Sequence, residues 1–262
     1  MNNFNVLMKK EFVQTVREFK VIWLPLVFIF LGVTQPVVSH YLPSILKTLG
    51  GAQGITIDPS MAAQQGGEVL ATTLAAQFDQ LGVIIIAISM MGVLQTDKVN
   101  GMLAFILTRP VTIVSYIGGK IIANFIFVAC SVVLGYLISY VYVNLLFTNV
   151  NFVDAIIASL FYLLWVLFMV TFTTMISTIF NSQGIIALIS IVFLLGCRIV
   201  LGLSTLTDFM NPASMSKHAM EVLITGAANP NLIWNVLVVL LWIVLTIIVT
   251  IFWISSKKTK SD

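Results

Sequence analysis

Long apolar runs, separated by short polar segments, dominate the pattern of residues along this chain. A helix needs about 20 mainly apolar residues to cross the hydrocarbon core of a bilayer, so uncharged runs can be measured against that length. The longest run, between Asp154 and Arg198, is divided by the turn signal of residues 181–184. The pattern therefore predicts six spans, at about residues 21–39, 79–96, 120–146, 154–180, 184–205 and 232–255.

Three shorter helices are expected outside these spans. In residues 1–20, apolar side chains recur at helical spacing and basic ones face away, which predicts an amphipathic helix in the membrane interface. A plain helical extension of span one is the alternative. A cytoplasmic helix is expected between spans two and three, and a short outer helix, opened by Asn211-Pro212 and ended by Gly226, before span six. Lys217 and Glu221 are spaced as an i,i+4 ion pair on this outer helix.

The placement of basic residues predicts the orientation of the spans. An even number of spans puts both termini on one side, and Lys and Arg concentrate in short cytoplasmic loops. Of the 13 basic residues, only Lys47, Arg198 and Lys217 lie away from the two terminal segments and the segment between spans two and three. We therefore expect a multi-pass protein of the cell membrane with both termini in the cytoplasm.

Composition removes most other classes of protein. Apolar residues make up 59% of the chain and charged residues only 9%, whereas soluble domains carry roughly a quarter charged residues. The net charge of +3 is too small and too scattered for a nucleic-acid binder. Cys130 and Cys197 lie in apolar runs and indicate neither a disulfide nor a metal site. The charged first 20 residues argue against a cleaved signal peptide.

No catalytic motif is present in the sequence. HExxH, GxSxG and a phosphate-binding loop are all missing, and both histidines, His40 and His218, fall in or beside outer loops. The chain is therefore not expected to be an enzyme or to hold a cofactor or metal. Any ATP has to be hydrolysed, with its Mg²⁺, by a separate partner subunit.

The segment between spans two and three, TDKVNGMLAFILTRPV at residues 96–111, is more patterned than a connector requires. It combines polar groups, a glycine and an apolar run that is too short to cross a membrane. An Arg-Pro pair ends this apolar run. The segment resembles the cytoplasmic loop of the permease subunits of ABC-2 type exporters. The positions that carry the resemblance are Asp97, Gly101, Met102, Leu103, Arg109, Pro110 and Val111, with Lys120 opening span three, Lys10-Glu11 near the start and the Asn-Pro outer helix.

This resemblance implies a single transmembrane domain over residues 1–262, in which the first helix and the loop contact an ATP-binding cassette subunit. A second permease chain, identical or related, would complete the translocation pathway. In the coupling loop we expect Asp97 and Lys98 to make polar contacts with the ATPase and Gly101 to allow close approach. Leu103 and Phe105 would seat the coupling helix, which Arg109-Pro110 ends.

Other polar residues within the spans have two interpretations each. Arg198 either snorkels or makes a structural hydrogen bond, or it belongs to a pathway or dimer interface. Thr171, Thr174 and Thr178 share one face of span four, where they either line a polar route or bond their own backbone. Small residues on span three, Ser131, Gly135 and Ser139, predict close helix packing.

The leading functional hypothesis is the permease subunit of an ATP-driven exporter. An ABC-linked membrane sensor or resistance module for a membrane-active compound is the alternative. An ion carrier ranks third, because it predicts buried acidic residues and none occurs in residues 21–39, 121–153, 155–197 or 232–256.

Overall fold

The computed structural model describes residues 3–50, 64–107, 112–227 and 229–258 of the chain. Within these ranges every regular element is a helix. Six helices are long and apolar enough to cross a membrane, which confirms the predicted all-α fold and the number of spans. Spans one to six are Lys20–Ile45, Gly66–Val99, Ile113–Leu146, Phe152–Ile179, Gln183–Val200 and Leu232–Ser256.

The helices follow one another with short connections. In chain order they are α1 (Asn3–Arg17), α2 (Lys20–Gly50), α3 (Gly66–Thr72), a π-helical segment (Thr73–Gly82), α4 (Val83–Met90), α5 (Gln95–Val99), α6 (Met102–Leu107), α7 (Ile113–Leu146), α8 (Phe152–Ile179), α9 (Gln183–Val200), α10 (Thr205–Met210), α11 (Ser214–Thr225) and α12 (Leu232–Lys258). Span two comprises α3, the π-helical segment, α4 and α5, whereas each other span lies within one helix.

Spans two and three are longer than the uncharged runs that predict them. They start at Gly66 and Ile113, so the charged residues Asp79 and Lys120 lie inside the helices. Both side chains are buried, and each contacts an oppositely charged partner. A charge that is neutralised in this way does not have to lie at the membrane surface, so the helix continues past it. Residues 68–77, which precede the predicted second span, are also helical and belong to the beginning of span two.

Spans one and three pack closely through glycines. A Cβ built on Gly32 would lie 2.2 Å from the carbonyl oxygen of Gly135, and one built on Gly135 would lie 2.4 Å from the carbonyl oxygen of Phe28. Ser131 and Ser139 on the same side of span three are fully buried. The small-residue face predicted from the sequence therefore makes a backbone-to-backbone contact within the chain.

A methyl group at Gly135 is expected to push these two helices apart. Because the nearest atoms are backbone and cannot rotate away, Gly135→Ala should destabilise the protein by about 1–3 kcal/mol, the usual cost of overpacking. Gly196→Ala is the matched control, since a Cβ there meets no atom within 4 Å. Thermal unfolding of the detergent-solubilised variants measures the difference. Equal unfolding temperatures would contradict the close contact.

The outer helix, α11, begins two residues after Pro212 and is packed into the bundle. The Asn211 Oδ1 atom accepts a hydrogen bond from the Ala213 backbone N–H at 2.9 Å, which forms the turn before the helix. Gly226 ends the helix, as predicted, with a left-handed φ of +67°. Met215 and Ser216 are fully buried, and α11 contacts both α8 and α3. The outer helix α11 is therefore packed among the spans and does not lie on the surface of the bundle.

Candidate functional site

The end of the bundle where α1 lies also holds α5, α6 and the beginning of α7, and α1 packs along α7. Between α5 and α6, Gly101 has a φ of +69°, a left-handed conformation that glycine adopts without a steric penalty. A Cβ on this residue would meet no atom of the described chain within 4 Å. The turn conformation, and not crowding inside the chain, therefore accounts for the glycine.

Lys120 lies at the centre of a buried ion cluster at this end of the bundle. Its Nζ atom is 3.0 Å from Glu11 Oε1 and 3.0 Å from Asp97 Oδ2. It also donates a hydrogen bond to the Val93 carbonyl oxygen at 2.7 Å. These three acceptors use the three donors of the ammonium group, which is 1% exposed. The contacts join α1, α5 and α7, which are distant in sequence.

Asp97 belongs to this cluster and is only 3% exposed, so its carboxylate is held within the chain. The Tyr116 hydroxyl donates a hydrogen bond to Asp97 Oδ2, and Lys10 Nζ lies 3.6 Å from the same oxygen. A buried carboxylate is tolerated when it is paired and hydrogen-bonded, as it is here. Asp97 therefore holds α5 against α1 and α7 and does not project from the chain.

Lys98 also bonds within the chain. Its Nζ atom donates to the carbonyl oxygens of Thr178 at 3.0 Å and Phe180 at 2.6 Å, at the C-terminal end of span four. Such carbonyls have no partner within their own helix, and a nearby cation stabilises them. The Ser177 hydroxyl oxygen accepts from the backbone N–H of Gln95 at 3.0 Å. The start of α5 is therefore fastened to span four as well as to α1 and α7.

The short helix α6 presents apolar side chains at the surface. Phe105 is 58% exposed and Met102 is also exposed, whereas Leu103 is half-buried and packs against the core. The Met102 sulfur accepts a hydrogen bond from Lys10 Nζ at 3.0 Å, which ties α6 to α1. Arg109 and Pro110 lie outside the described residues.

A groove of about 530 Å³ separates α1 from α5 and α6. Its lining includes Lys9, Lys10 and Arg17 from α1, together with Asn100 and Met102. The carboxylate of Asp97 borders it but is already paired with Lys120. The groove is therefore cationic, with an apolar edge formed by α6.

Residues 5–258 match the family described as ABC-2 family transporter protein. The chain belongs to this family. It is also 32% identical over 248 residues to an uncharacterized transmembrane protein, YxlG, of Bacillus subtilis (strain 168). The match covers 94% of this chain and 95% of the relative.

As an ABC-2 family member, the chain is a multi-pass membrane component of an ABC transporter. Membership implies a partnership with an ATP-binding subunit, since the family supplies the membrane component and not the catalytic one. The family recognised from the loop between spans two and three is thus confirmed over nearly the whole chain.

The three threonines of span four make local hydrogen bonds in this ABC-2 protein. Thr171 donates to the Phe168 carbonyl oxygen at 3.0 Å, Thr174 to that of Val170 at 2.7 Å, and Thr178 to that of Met175. All three side chains are buried within the chain. This arrangement favours backbone bonding over a polar route.

Arg198 forms an ion pair inside the bundle, which favours a structural role. Its Nε atom lies 2.7 Å from Asp79 Oδ2, and Asp79 is 0% exposed. The Ser216 hydroxyl of α11 donates a hydrogen bond to the same carboxylate. An acidic residue therefore lies buried within a span after all, since Asp79 is inside span two, but its charge is neutralised by Arg198.

Sequence reasoning missed two residues of these clusters. Glu11 was recognised only as part of a motif, and Asp79 was treated as the boundary of a span. A signal for both was present, because a lysine or arginine inside a membrane span needs a partner carboxylate. Lys120 and Arg198 are such cations, and both lie inside the spans that the structure describes.

Proposed function

We propose that this ABC-2 family chain is the permease subunit of an ATP-driven exporter, in which two permease chains form the pathway and a separate cytoplasmic ATPase drives them. The observation that carries the proposal is α6, which presents exposed Met102 and Phe105 at the end of a segment fastened to several spans. Exposed aromatic and methionine side chains beside polar groups are typical of protein interfaces.

The contacts around α5 would transmit a movement of α6 to the neighbouring spans. Asp97 and Lys120 connect α5 to α1 and span three, while Lys98 and Ser177 connect it to span four. A partner that displaces α6 would therefore move span two together with its neighbours, because these charged and hydrogen-bonded contacts are buried or half-buried and have fixed geometry. In this proposal Asp97 and Lys98 are positioning residues, and α6 makes the contact with the ATPase.

Charge indicates the kind of surface that the ATPase would offer. The groove between α1 and α6 carries Lys9, Lys10 and Arg17 at its border. An acidic surface beside an apolar socket for Phe105 would match it, since complementary charge speeds association and a buried aromatic side chain contributes affinity.

Phe105→Asp is expected to reduce binding of the ATP-binding partner by about 30-fold or more, because an aromatic anchor at an interface is worth about 2 kcal/mol or more. The measurement is co-purification and titration of the two proteins in detergent. Leu206→Asp is the matched control, since it places the same charge on a strongly exposed apolar residue of α10, at the other end of the bundle. Equal binding by both variants would contradict the role of α6.

The remaining parts of the proposal need the assembled complex. Native mass spectrometry is expected to find two permease chains in it, and ATP is expected to drive cargo out of the cytoplasmic compartment. A complex with one permease chain, or ATP hydrolysis that responds to a membrane-active compound without moving it, would favour the sensor alternative.

A further inference from the structure

A polar pocket lies at the end of the bundle opposite α1, between α10, α11 and the first turn of α12. Its volume is about 210 Å³, and its lining includes Asp208, Ser214, Lys217, His218, Glu221 and Asn235. We refer to it as the outer pocket. It is separate from the α6 surface, and neither the transport proposal nor the family match assigns it a role.

The ion pairs of the outer pocket leave one carboxylate without a permanent cation. Lys217 Nζ lies 2.7 Å from Asp208 Oδ2, so the expected pair of Lys217 with Glu221 is not formed. Burial raises the pKa of Asp208, but the N–H of Gly202 and the ammonium of Lys217 outweigh it and hold that pKa below its usual range. Asp208 is therefore ionised and paired with Lys217, whereas the carboxylate of Glu221 is not paired with that lysine.

The contacts of Glu221 come from neutral groups in the described chain. Its Oε2 atom lies 3.3 Å from His218 Nδ1 and 3.3 Å from Asn229 Nδ2. Burial lowers the pKa of His218, although Glu221 opposes the shift, so the imidazole is neutral near pH 7. With Nδ1–H donated to Glu221, the Nε2 atom accepts from Asn235 Nδ2 at 3.0 Å. The pocket thus keeps a net negative charge.

Two buried side-chain oxygens in the lining have no hydrogen-bond partner in the described chain. They are Ser214 Oγ and Asn235 Oδ1, on residues that are 1% and 5% exposed. A buried polar atom without a hydrogen-bond partner destabilises the protein, and a bound donor would remove that cost. Both oxygens can accept a hydrogen bond, as can the carboxylate of Glu221.

We propose that the outer pocket binds a primary ammonium group, held by the Glu221 carboxylate together with Ser214 Oγ and Asn235 Oδ1. A primary ammonium presents three N–H donors and no acceptor, which matches three acceptors in a pocket of net negative charge. A quaternary ammonium has no N–H donor and is usually held by several Trp, Tyr or Phe rings, whereas Phe209 is the one residue of these three types among the described lining residues.

The ammonium could belong to the ethanolamine headgroup of a phospholipid or to a free amine. Thermal unfolding of the full chain in detergent separates these sources, because a ligand stabilises the folded state in proportion to its binding. One arm adds ethanolamine or choline to the solution, and the other adds phosphatidylethanolamine or phosphatidylcholine to the micelles. Stabilisation by both ethanolamine compounds supports a site for free amines, and stabilisation by phosphatidylethanolamine alone supports a lipid site.

Three variants make the test specific. Glu221→Gln is expected to weaken binding of the ethanolamine compound at least tenfold, and Ser214→Ala to weaken it less. Ser214→Ala should not lower the unfolding temperature without ligand, because its hydroxyl makes no bond in the described chain. Asp154→Asn, which removes a carboxylate in the first turn of α8 and outside the pocket lining, should bind as the wild type does.

The proposal is overturned if neither ethanolamine compound stabilises the protein, if choline compounds stabilise it equally, or if Glu221→Gln binds as the wild type does. The assay contains no ATP and no ATPase. Its failure would therefore leave the proposed transport function untouched, and a failure of transport would leave this site standing.

Discussion

Lys120→Met is expected to destabilise the protein by about 3–5 kcal/mol, the usual cost of removing one partner from a buried ion pair. The substitution leaves the buried carboxylates of Glu11 and Asp97 near each other. In the described part of the chain, the cation that remains paired with both is the partly exposed Lys10, at 3.6 Å from each. Two like charges in that position repel each other and lack water. The junction of α1, α5 and span three should open, and unfolding temperature and ATPase binding should fall together.

Two comparisons distinguish this effect from a loss of packing. Lys10→Met removes a cation from the same cluster, but Lys10 is partly exposed, so the loss should stay below about 1 kcal/mol. Combining Lys120→Met with Glu11→Gln and Asp97→Asn removes both buried carboxylates, leaves the partly exposed Lys10 as the charge of the cluster, and should recover most of the lost stability. If the triple variant is no more stable than Lys120→Met, the unpaired carboxylates are not the cause.

Arg198→Leu is expected to have a comparable effect at the other end of the bundle. It leaves Asp79 fully buried with the Ser216 hydroxyl as its hydrogen-bond donor, and the loss should again be about 3–5 kcal/mol. The double variant Asp79→Leu/Arg198→Leu should be far more stable than Arg198→Leu, since apolar residues can replace a buried pair at little cost. Thermal unfolding of the wild type, both single variants and the double variant gives the coupling energy.

The Lys217–Asp208 pair is the internal control for this cycle. Its distance of 2.7 Å equals that of the Asp79–Arg198 pair, but its lysine is exposed to solvent. A double-mutant cycle on Lys217→Met and Asp208→Asn should give less than about 1 kcal/mol. Similar coupling energies for the two pairs would show that burial does not decide their strength, contrary to our expectation.

Much of the fold follows from the sequence, because the length of an apolar run can be counted along the chain without knowing which helices contact each other. Runs of about 20 apolar residues have few alternatives to a membrane helix, so the number of spans is predicted correctly. The glycine stop at Gly226 is equally local, since it depends on the backbone conformation of one residue. The family is also recognisable from one short motif, and the match over residues 5–258 confirms it.

The candidate site is less predictable, because a charged residue near the end of a span can lie in two different environments. A lysine can mark the surface or be buried with a carboxylate, and a single sequence does not separate these cases. Lys120 was expected to open span three and Asp79 to begin span two, yet both lie buried inside their spans. Asp97 is buried as well, because its partners Lys120 and Tyr116 are brought to it only by helix packing.

The sequence by itself determined the class of this protein: an all-helical membrane component of the ABC-2 family with six spans and a patterned loop after the second. Tertiary structure alone decided how its few charges are used. It brings Glu11 to Lys120 and Asp79 to Arg198, and it leaves Glu221 without the lysine that helical spacing assigns to it. The physical reason is that burial and pairing depend on which helices meet, and contacts between distant helices leave no periodic pattern along the chain.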